Sequence, residues 1–145
     1  MAKSADLAKP YQVFVSHATA DKWLATVVCE KIEKETGAST FRDDRDIDGG
    51  EDIPERIRKE IQRSREIVVL LTPYSLNRSW VLLEVGAAWG RRKSYEIVPI
   101  LCHADVDAIP ELIKKKKAIN INQFPEYLIE LKKRVKQHDG QIESD

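Results

Sequence analysis

The stretch EIVVLLT, residues 66–72, constrains the fold most strongly, because it is a nearly unbroken run of aliphatic and β-branched residues. Such a run is typical of a strand that is buried on both faces of a parallel sheet. Parallel neighbours cannot be joined by a tight hairpin and need a crossover connection, usually a helix. The run therefore predicts an α/β architecture, provided that strand and helix patterns alternate along the rest of the chain.

The two kinds of pattern do alternate. Leu24, Val28 and Ile32 repeat at helical spacing before Gly37, and Ile57 and Ile61 repeat four residues apart further along. Five segments have strand patterns, the last of them weaker and typical of an edge strand: residues 11–16, 38–41, 66–72, 96–102 and 117–121. We predict a flavodoxin-like three-layer sandwich, with a five-stranded parallel sheet of order 2-1-3-4-5 and helices on both faces.

The domain organisation predicted from the sequence is simple. A chain of 145 residues has the length of one domain and can bury a substantial core. We expect an N-terminal tail over residues 1–10, one domain over residues 11–136 and a polar C-terminal tail over residues 137–145. Helical patterns also predict a third helix over residues 80–91, a short helix over residues 107–115 and a last helix over residues 124–137.

Composition narrows the partners and the location. The formal net charge is zero, so the chain lacks the basic excess expected of a nucleic-acid-binding domain. The N-terminal residues contain no apolar signal region, and no stretch has the length and apolarity of a membrane span. Cys29 and Cys102 lie far apart without metal-type spacing, which fits reduced thiols. We therefore expect a cytoplasmic protein that binds neither nucleic acid nor membrane.

Ligands of such folds bind at the carboxyl ends of the strands, near the switch point between strands 1 and 3. Ser16 and His17 end the first predicted strand, and Thr72 ends the third. These polar residues are expected to surround one crevice. His17 could serve there as a general base, but a single histidine beside a serine is more often a polar lining.

Glu84 is the only charged residue in SWVLLEVGAAW, residues 79–89. At 100° per residue it shares a helix face with Trp80 and Arg91. A carboxylate in so apolar a helix needs compensation. One interpretation is a functional carboxylate at the crevice, and the other is an ordinary ion pair with Arg91.

The segment RDDRDIDGGEDIPE, residues 42–55, is acidic and resembles a calcium-binding loop. Asp44, Asp46, Asp48, Gly49 and Glu55 fit the spacing of an EF-hand. The context argues against calcium, because an EF-hand needs an incoming helix and a strand pattern precedes this segment. A solvated acidic connection is the simpler interpretation, and we expect no bound metal.

Three stretches in order resemble the Toll/interleukin-1 receptor (TIR) domain family. YQVFVSHA is similar to the first conserved box, FRDDRDIDGGEDIPERI to the second box with its BB loop, and SWVLLE to the W-x-x-x-E segment. The resemblance covers residue 11 to about residue 135. The third box is not clear in this chain, which makes it look like a bacterial-type member.

Many TIR domains of that type cleave NAD⁺ between nicotinamide and ribose, with NAD⁺ as a substrate and no resident cofactor. The resemblance implies that Glu84 is the catalytic carboxylate. It also implies a substrate-binding set: Phe14, Ser16, His17, Arg42, Asp44 and Trp80. In the BB loop it implies that Asp46, Asp48, Gly49 and Gly50 make contacts with other TIR domains during self-association.

The resemblance thus predicts an NAD⁺ glycohydrolase that releases nicotinamide and ADP-ribose or a cyclic isomer, activated by self-association, in bacterial immune signalling such as antiviral defence. The chief alternative is a non-catalytic TIR–TIR interaction module in which Glu84 is structural. A further alternative is an enzyme similar to nucleoside deoxyribosyltransferases, which also attack an N-glycosidic bond with a glutamate. That alternative does not account for the charged BB loop.

Overall fold

The computed structural model describes residues 10–42, 55–74, 96–103 and 118–144. These residues form a five-stranded parallel sheet of order β2-β1-β3-β4-β5, which confirms the predicted fold class and strand order. The strands are β1 (Gln12–Ser16), β2 (Ser39–Phe41), β3 (Glu66–Leu71), β4 (Glu96–Leu101) and β5 (Ile119–Asn120).

The edge strand β5 is shorter than the predicted segment 117–121. The side chain of Asn120 accepts a hydrogen bond from the backbone N–H of Asn122, and the side chain of Gln123 accepts one from the backbone N–H of Asn120. This capping box starts a 3₁₀ turn over Ile121–Gln123. The local hydrogen bonds therefore end the strand before its apolar pattern ends.

Three α-helices lie within the described residues: α1 (Lys22–Thr36), α2 (Glu55–Arg63) and α3 (Phe124–Ser144). A 3₁₀ turn over Thr19–Asp21 leads into α1, which ends at Gly37 as the sequence predicts. Gly37 has φ 79° and its N–H donates to the Glu33 carbonyl, a left-handed helix end that glycine adopts without steric cost. The helix α3 runs past residue 137, so most of the predicted polar tail is helical.

The helices occupy both faces of the sheet. Inward-facing residues on one face pack with α1 and α3 in a single apolar cluster that includes Val13, Val15, Val68, Leu70, Ile32 and Leu131. On the opposite face, the Gln12 side-chain amide donates to Glu60 of α2 and to Ser64, each at 2.9 Å. Alternation along each strand separates these two sets of side chains.

The strands are buried as the continuous apolar pattern predicts. All six residues of β3 are buried, and so are all five residues of β1. The predicted helices over residues 80–91 and 107–115 lie outside the described residues. The domain boundaries that the sequence suggests also stay a prediction.

Candidate functional site

The switch point, where a crevice is predicted, lies where β1 stops before its neighbour β3. Ser16, the last residue of β1, pairs with Val69, whereas β3 continues to Leu71 and pairs with β4 up to Leu101. The chain therefore leaves β1 earlier than it leaves β3. The polar residues Ser16, His17 and Thr72 lie at these strand ends, as the sequence predicts.

Ser16 and His17 are deeply buried, with 1% and 2% of their surface exposed. The Nδ1 atom of His17 lies 3.5 Å from the Val15 carbonyl oxygen. These two buried polar residues lie at the end of β1, where the crevice is predicted. Their proposed contact with a substrate stays a prediction.

Phe14 and Arg42 are two further predicted substrate-binding residues. Phe14 lies in the core, whereas Arg42 is partly exposed. Phe14 is fully buried and its ring packs against Phe41, with 5.6 Å between ring centroids. Arg42 follows β2, and its Nη1 donates to the Lys22 carbonyl over 3.4 Å. Phe14 thus supports the sheet beneath the crevice, and Arg42 reaches the first turn of α1.

The remaining predicted site residues fall outside the described part of the chain. They are Glu84, Trp80, Asp44, Asp46, Asp48, Gly49 and Gly50. The catalytic, substrate-binding and self-association roles that the resemblance implies for them stay predictions. Within the described residues, no group of three or more histidine, cysteine or acidic side chains is arranged to hold a metal ion.

Asp21 is a crevice residue that the sequence patterns did not single out. It precedes α1, a position where an aspartate often caps the helix, but its carboxylate makes no capping hydrogen bond. Instead the Thr72 hydroxyl donates to Asp21 Oδ2 over 2.5 Å, and both residues are buried. In the sequence, an aspartate between a strand end and a helix suggests an ordinary helix cap. This pattern does not indicate that its partner is Thr72.

Cys102 lies beside this pair at the end of β4. Its N–H donates to the Leu71 carbonyl over 2.8 Å, which continues the ladder by one residue. Burial, and then the nearby Asp21 charge, raise the pKa of the Cys102 thiol to about 11. The thiol is therefore neutral near pH 7 and is not an activated nucleophile.

A second buried carboxylate, Glu66, lies at the opposite end of β3. It is fully buried and accepts hydrogen bonds from Tyr11 at 2.6 Å, from Tyr127 at 2.5 Å and from both Nε and Nη2 of Arg134, at 2.9 and 3.1 Å. Burial disfavours the charge on Arg134, but the hydrogen bonds and charge of Glu66 outweigh it and raise the arginine pKa. This ion pair joins the sheet to α3 and is remote from the crevice.

A cavity of about 380 Å³ adjoins this second cluster between β4, β5 and α3. Its lining is mixed: apolar residues of β4 and β5 form one part, and the polar part consists of Glu96, Gln123, Glu126, Glu130 and Arg134. Of the predicted substrate-binding residues that the structure describes, which are Phe14, Ser16, His17 and Arg42, none borders it. The cavity is therefore separate from the polar residues at the ends of β1 and β3.

A parallel five-stranded α/β domain with the strand order 2-1-3-4-5 belongs to the flavodoxin-like class. The sequence model of the TIR domain family matches residues 13–133, which is most of the chain. The protein is a member of the TIR domain family. The predicted bacterial type stays a prediction.

Solved TIR domains share this fold at low sequence identity. The TIR domain of the Toll-related receptor TRR-2 from Hydra magnipapillata has a TM-score of 0.66 and 21% identity, covering 87% of this chain and 98% of its own. A metazoan TIR-STING receptor from C. gigas has a TM-score of 0.61 and 21% identity, covering 86% of this chain and 40% of its own. The TIR domains of the activated Roq1 resistosome score 0.51 with 21% identity, covering 88% of this chain and 82% of their own.

Curated protein sequences give no significant match to this chain. Among the helices that the structure describes, none combines the length and the apolar character needed to cross a membrane.

Proposed function

We propose that this TIR domain is an NAD⁺ glycohydrolase, which cleaves the bond between nicotinamide and ribose. The observation that carries the proposal is family membership over residues 13–133, together with a W-x-x-x-E segment in the chain, at Trp80 and Glu84. The buried polar residues at the ends of β1 and β3 support it, because ligands of this fold class bind at such a switch point.

The chemistry explains why one carboxylate is enough. Cleavage of an O-glycosidic bond usually needs a second carboxyl group to protonate the leaving oxygen. In NAD⁺ the nicotinamide nitrogen is already positive, so it takes the electron pair of the breaking C–N bond and leaves as a neutral molecule. The Glu84 carboxylate then stabilises the oxocarbenium charge that develops on the ribose. Trp80, one helical turn away, stacks on an aromatic ring of the substrate.

The ribosyl cation is captured in one of two ways. Addition of water, with loss of a proton, gives ADP-ribose, and attack by a nitrogen of the adenine ring gives a cyclic isomer.

We also propose that self-association through the BB loop activates the domain, that it acts in the cytoplasm, and that it serves immune signalling. The consecutive glycines Gly49 and Gly50 give that loop sequence the backbone freedom to rearrange on assembly.

The deciding experiment compares the wild-type protein with Glu84→Gln, which keeps the shape of the side chain and removes its charge. Nicotinamide release from NAD⁺ should fall by about 100-fold or more, because one preorganised electrostatic stabiliser is lost. The melting temperature should hold or rise, since a desolvated charge becomes a neutral amide. Glu126→Gln makes the same chemical change at an exposed position of α3 and should alter neither quantity.

Activity should be measured over a range of protein concentrations in which an assembly dissociates. On this proposal, dilution lowers the rate per molecule. A Glu84→Gln protein that is less stable but fully active would contradict the catalytic assignment. A wild-type protein that associates but releases no nicotinamide would favour the non-catalytic interaction module.

A further inference from the structure

The hydrogen bond between Asp21 and Thr72 joins two segments that flank the crevice. Asp21 ends the 3₁₀ turn that follows β1, and Thr72 is the first residue after β3. The two residues lie 51 positions apart in the sequence, and their oxygen atoms are 2.5 Å apart. The contact therefore depends entirely on the tertiary fold.

The Asp21–Thr72 hydrogen bond lies beyond the last pair of the β1–β3 ladder, so the sheet no longer connects the two segments there. The β1–β3 ladder ends at the pair Ser16 and Val69, and β3 continues beyond it to Leu71. At the level of Thr72, β1 supplies no further ladder partner. The Asp21 carboxylate makes the next connection across the mouth of the crevice.

Thr72 also controls the direction in which the chain leaves β3. The Thr72 hydroxyl donates a hydrogen bond to the Asp21 carboxylate. The same oxygen accepts a hydrogen bond from the backbone N–H of Tyr74 over 3.1 Å. A threonine hydroxyl that binds the backbone two residues on stabilises a turn. The bond to Asp21 orients that hydroxyl, so it also fixes the turn. Trp80 and Glu84 follow this turn in the sequence.

Stability alone does not explain a charge at this position. Only 9% of Asp21 is exposed, and within the part of the chain that the structure describes its carboxylate is bonded to a neutral hydroxyl. Burying an ionised carboxylate without a cation is costly, and an apolar pair of similar volume would often stabilise a fold as well or better. A short charge-assisted hydrogen bond does define geometry more tightly than apolar contact.

We propose that Asp21 and Thr72 are positioning residues for the reaction, which fix the course of the chain as it leaves β3, ahead of Trp80 and Glu84 in the sequence. This inference rests on the proposed function and names two residues that the family resemblance did not assign. Neither residue touches the reacting atoms. Their effect is on the placement of the groups that do.

The test uses Thr72→Val, which preserves volume and removes the hydroxyl, and Thr72→Ser, which restores it. Thr36→Val is a matched control. Thr36 is also buried, its hydroxyl donates to the Ile32 carbonyl over 2.6 Å, and it accepts from the N–H of Ala38 over 3.1 Å. It makes the same kind of contacts at the far end of α1, so it reports the cost of removing a buried threonine hydroxyl.

Rates of nicotinamide release should be normalised to the folded fraction, well below each melting temperature. Thr72→Val should lower kcat by about 10- to 100-fold with KM changed less than about threefold, because misplacement of reacting groups acts on the transition state. Thr72→Ser should return kcat to within about threefold of wild type, and Thr36→Val should leave kcat unchanged although it melts earlier. If Thr72→Val does not fold, the double variant Asp21→Asn/Thr72→Val replaces it, because it breaks the same connection without stranding a charge.

The outcomes separate the two proposals. An active wild-type protein whose kcat is unaffected by Thr72→Val, or by the double variant, overturns the positioning role and leaves the proposed function intact. An associated wild-type protein that releases no nicotinamide overturns the proposed function and this inference together. A kcat loss that Thr72→Ser does not rescue also overturns the inference, because it then does not depend on the hydroxyl.

Discussion

The two ends of β3 each bury a carboxylate, but they compensate it in different ways. At the amino end, Glu66 is fully buried and is bonded to the guanidinium of Arg134 and to two tyrosine hydroxyls. At the carboxyl end, Asp21 is bonded to the hydroxyl of Thr72. Among the described residues, one carboxylate has a cation and two hydroxyl donors, and the other has one neutral hydroxyl donor.

The difference separates stabilisation from function. A buried carboxylate that is neutralised by a bidentate arginine is costly to disturb, because removing one partner strands the other charge. That cluster joins α3 to the sheet, and its hydrogen-bond partners include none of the predicted site residues that the structure describes. Within the part of the chain that the structure describes, the carboxyl-end pair contains no cation, and it lies where the fold class binds its ligands. We therefore expect variants at the amino end to change stability and variants at the carboxyl end to change the reaction.

The largest effect on stability should come from Arg134→Met. This change leaves Glu66 buried without its cation, so the free energy of unfolding should fall by about 3–5 kcal/mol and the melting temperature by about 10 °C or more. Thermal unfolding monitored by circular dichroism measures both the unfolding free energy and the melting temperature. Arg63→Met is the control, because Arg63 is half exposed and lies 3.6 Å from Glu60, and such surface pairs contribute at most about 1 kcal/mol. Equal losses in the two variants would contradict the distinction between the two ends.

An intermediate effect is expected from Tyr127→Phe, which removes one hydroxyl donor from Glu66 and keeps the ring. The unfolding free energy should fall by about 1–3 kcal/mol, because a charged acceptor in the core loses a partner. Tyr11→Phe, alone and combined with Tyr127→Phe, completes a double-mutant cycle. Since both hydroxyls bind the same carboxylate, the two losses should deviate from additivity by about 0.5 kcal/mol or more. Strict additivity would show that the cluster does not act as a unit.

The smallest effect concerns alkaline pH at the carboxyl end. Because the pKa of Cys102 is raised to about 11 in the folded protein, the unfolded chain loses the thiol proton first as pH increases. The stability that comes from the neutral thiol is fully present below about pH 9 and is lost as pH rises to about 11.

Cys102→Ala removes this proton and should reduce the fall in melting temperature between pH 9 and pH 11 by about 2–4 °C relative to wild type. The comparison uses the slope with pH, because the smaller side chain also lowers the melting temperature at every pH. Tyr11 and Tyr127 keep a slope of the same sign in the variant, since burial and the Glu66 charge raise their pKa values as well. An unchanged slope in Cys102→Ala would show that the thiol does not titrate between these limits.

Much of the fold could be predicted because its signals are local. The run at residues 66–72 predicted a buried parallel strand, and residues 66–71 form the central strand β3. Gly37 predicted the end of the first helix and adopts the left-handed conformation there. The last strand and the last helix were less accurate, because the capping box at Asn120 and the continued helix after residue 137 depend on hydrogen bonds that apolar patterns do not encode.

The candidate site was predicted in part. Ser16, His17 and Thr72 lie at the predicted strand ends, because the strand order and the ends of the apolar runs are enough to place them. Asp21 was missed, since its place before a helix suggests an ordinary cap. Glu66 was missed as well, because it begins a strand whose neighbours are apolar and its partner Arg134 is 68 residues away.

The sequence by itself determined the order of the five strands, the TIR family and the polar residues at the ends of β1 and β3. These follow from hydrophobic periodicity and from motifs that are read over a few residues. Only the tertiary structure decided the partners of the two buried carboxylates, Arg134 with two tyrosines for Glu66 and Thr72 for Asp21. A buried charge is stabilised by whichever donors the fold brings within about 3 Å, and that choice is made between segments that are distant in the chain.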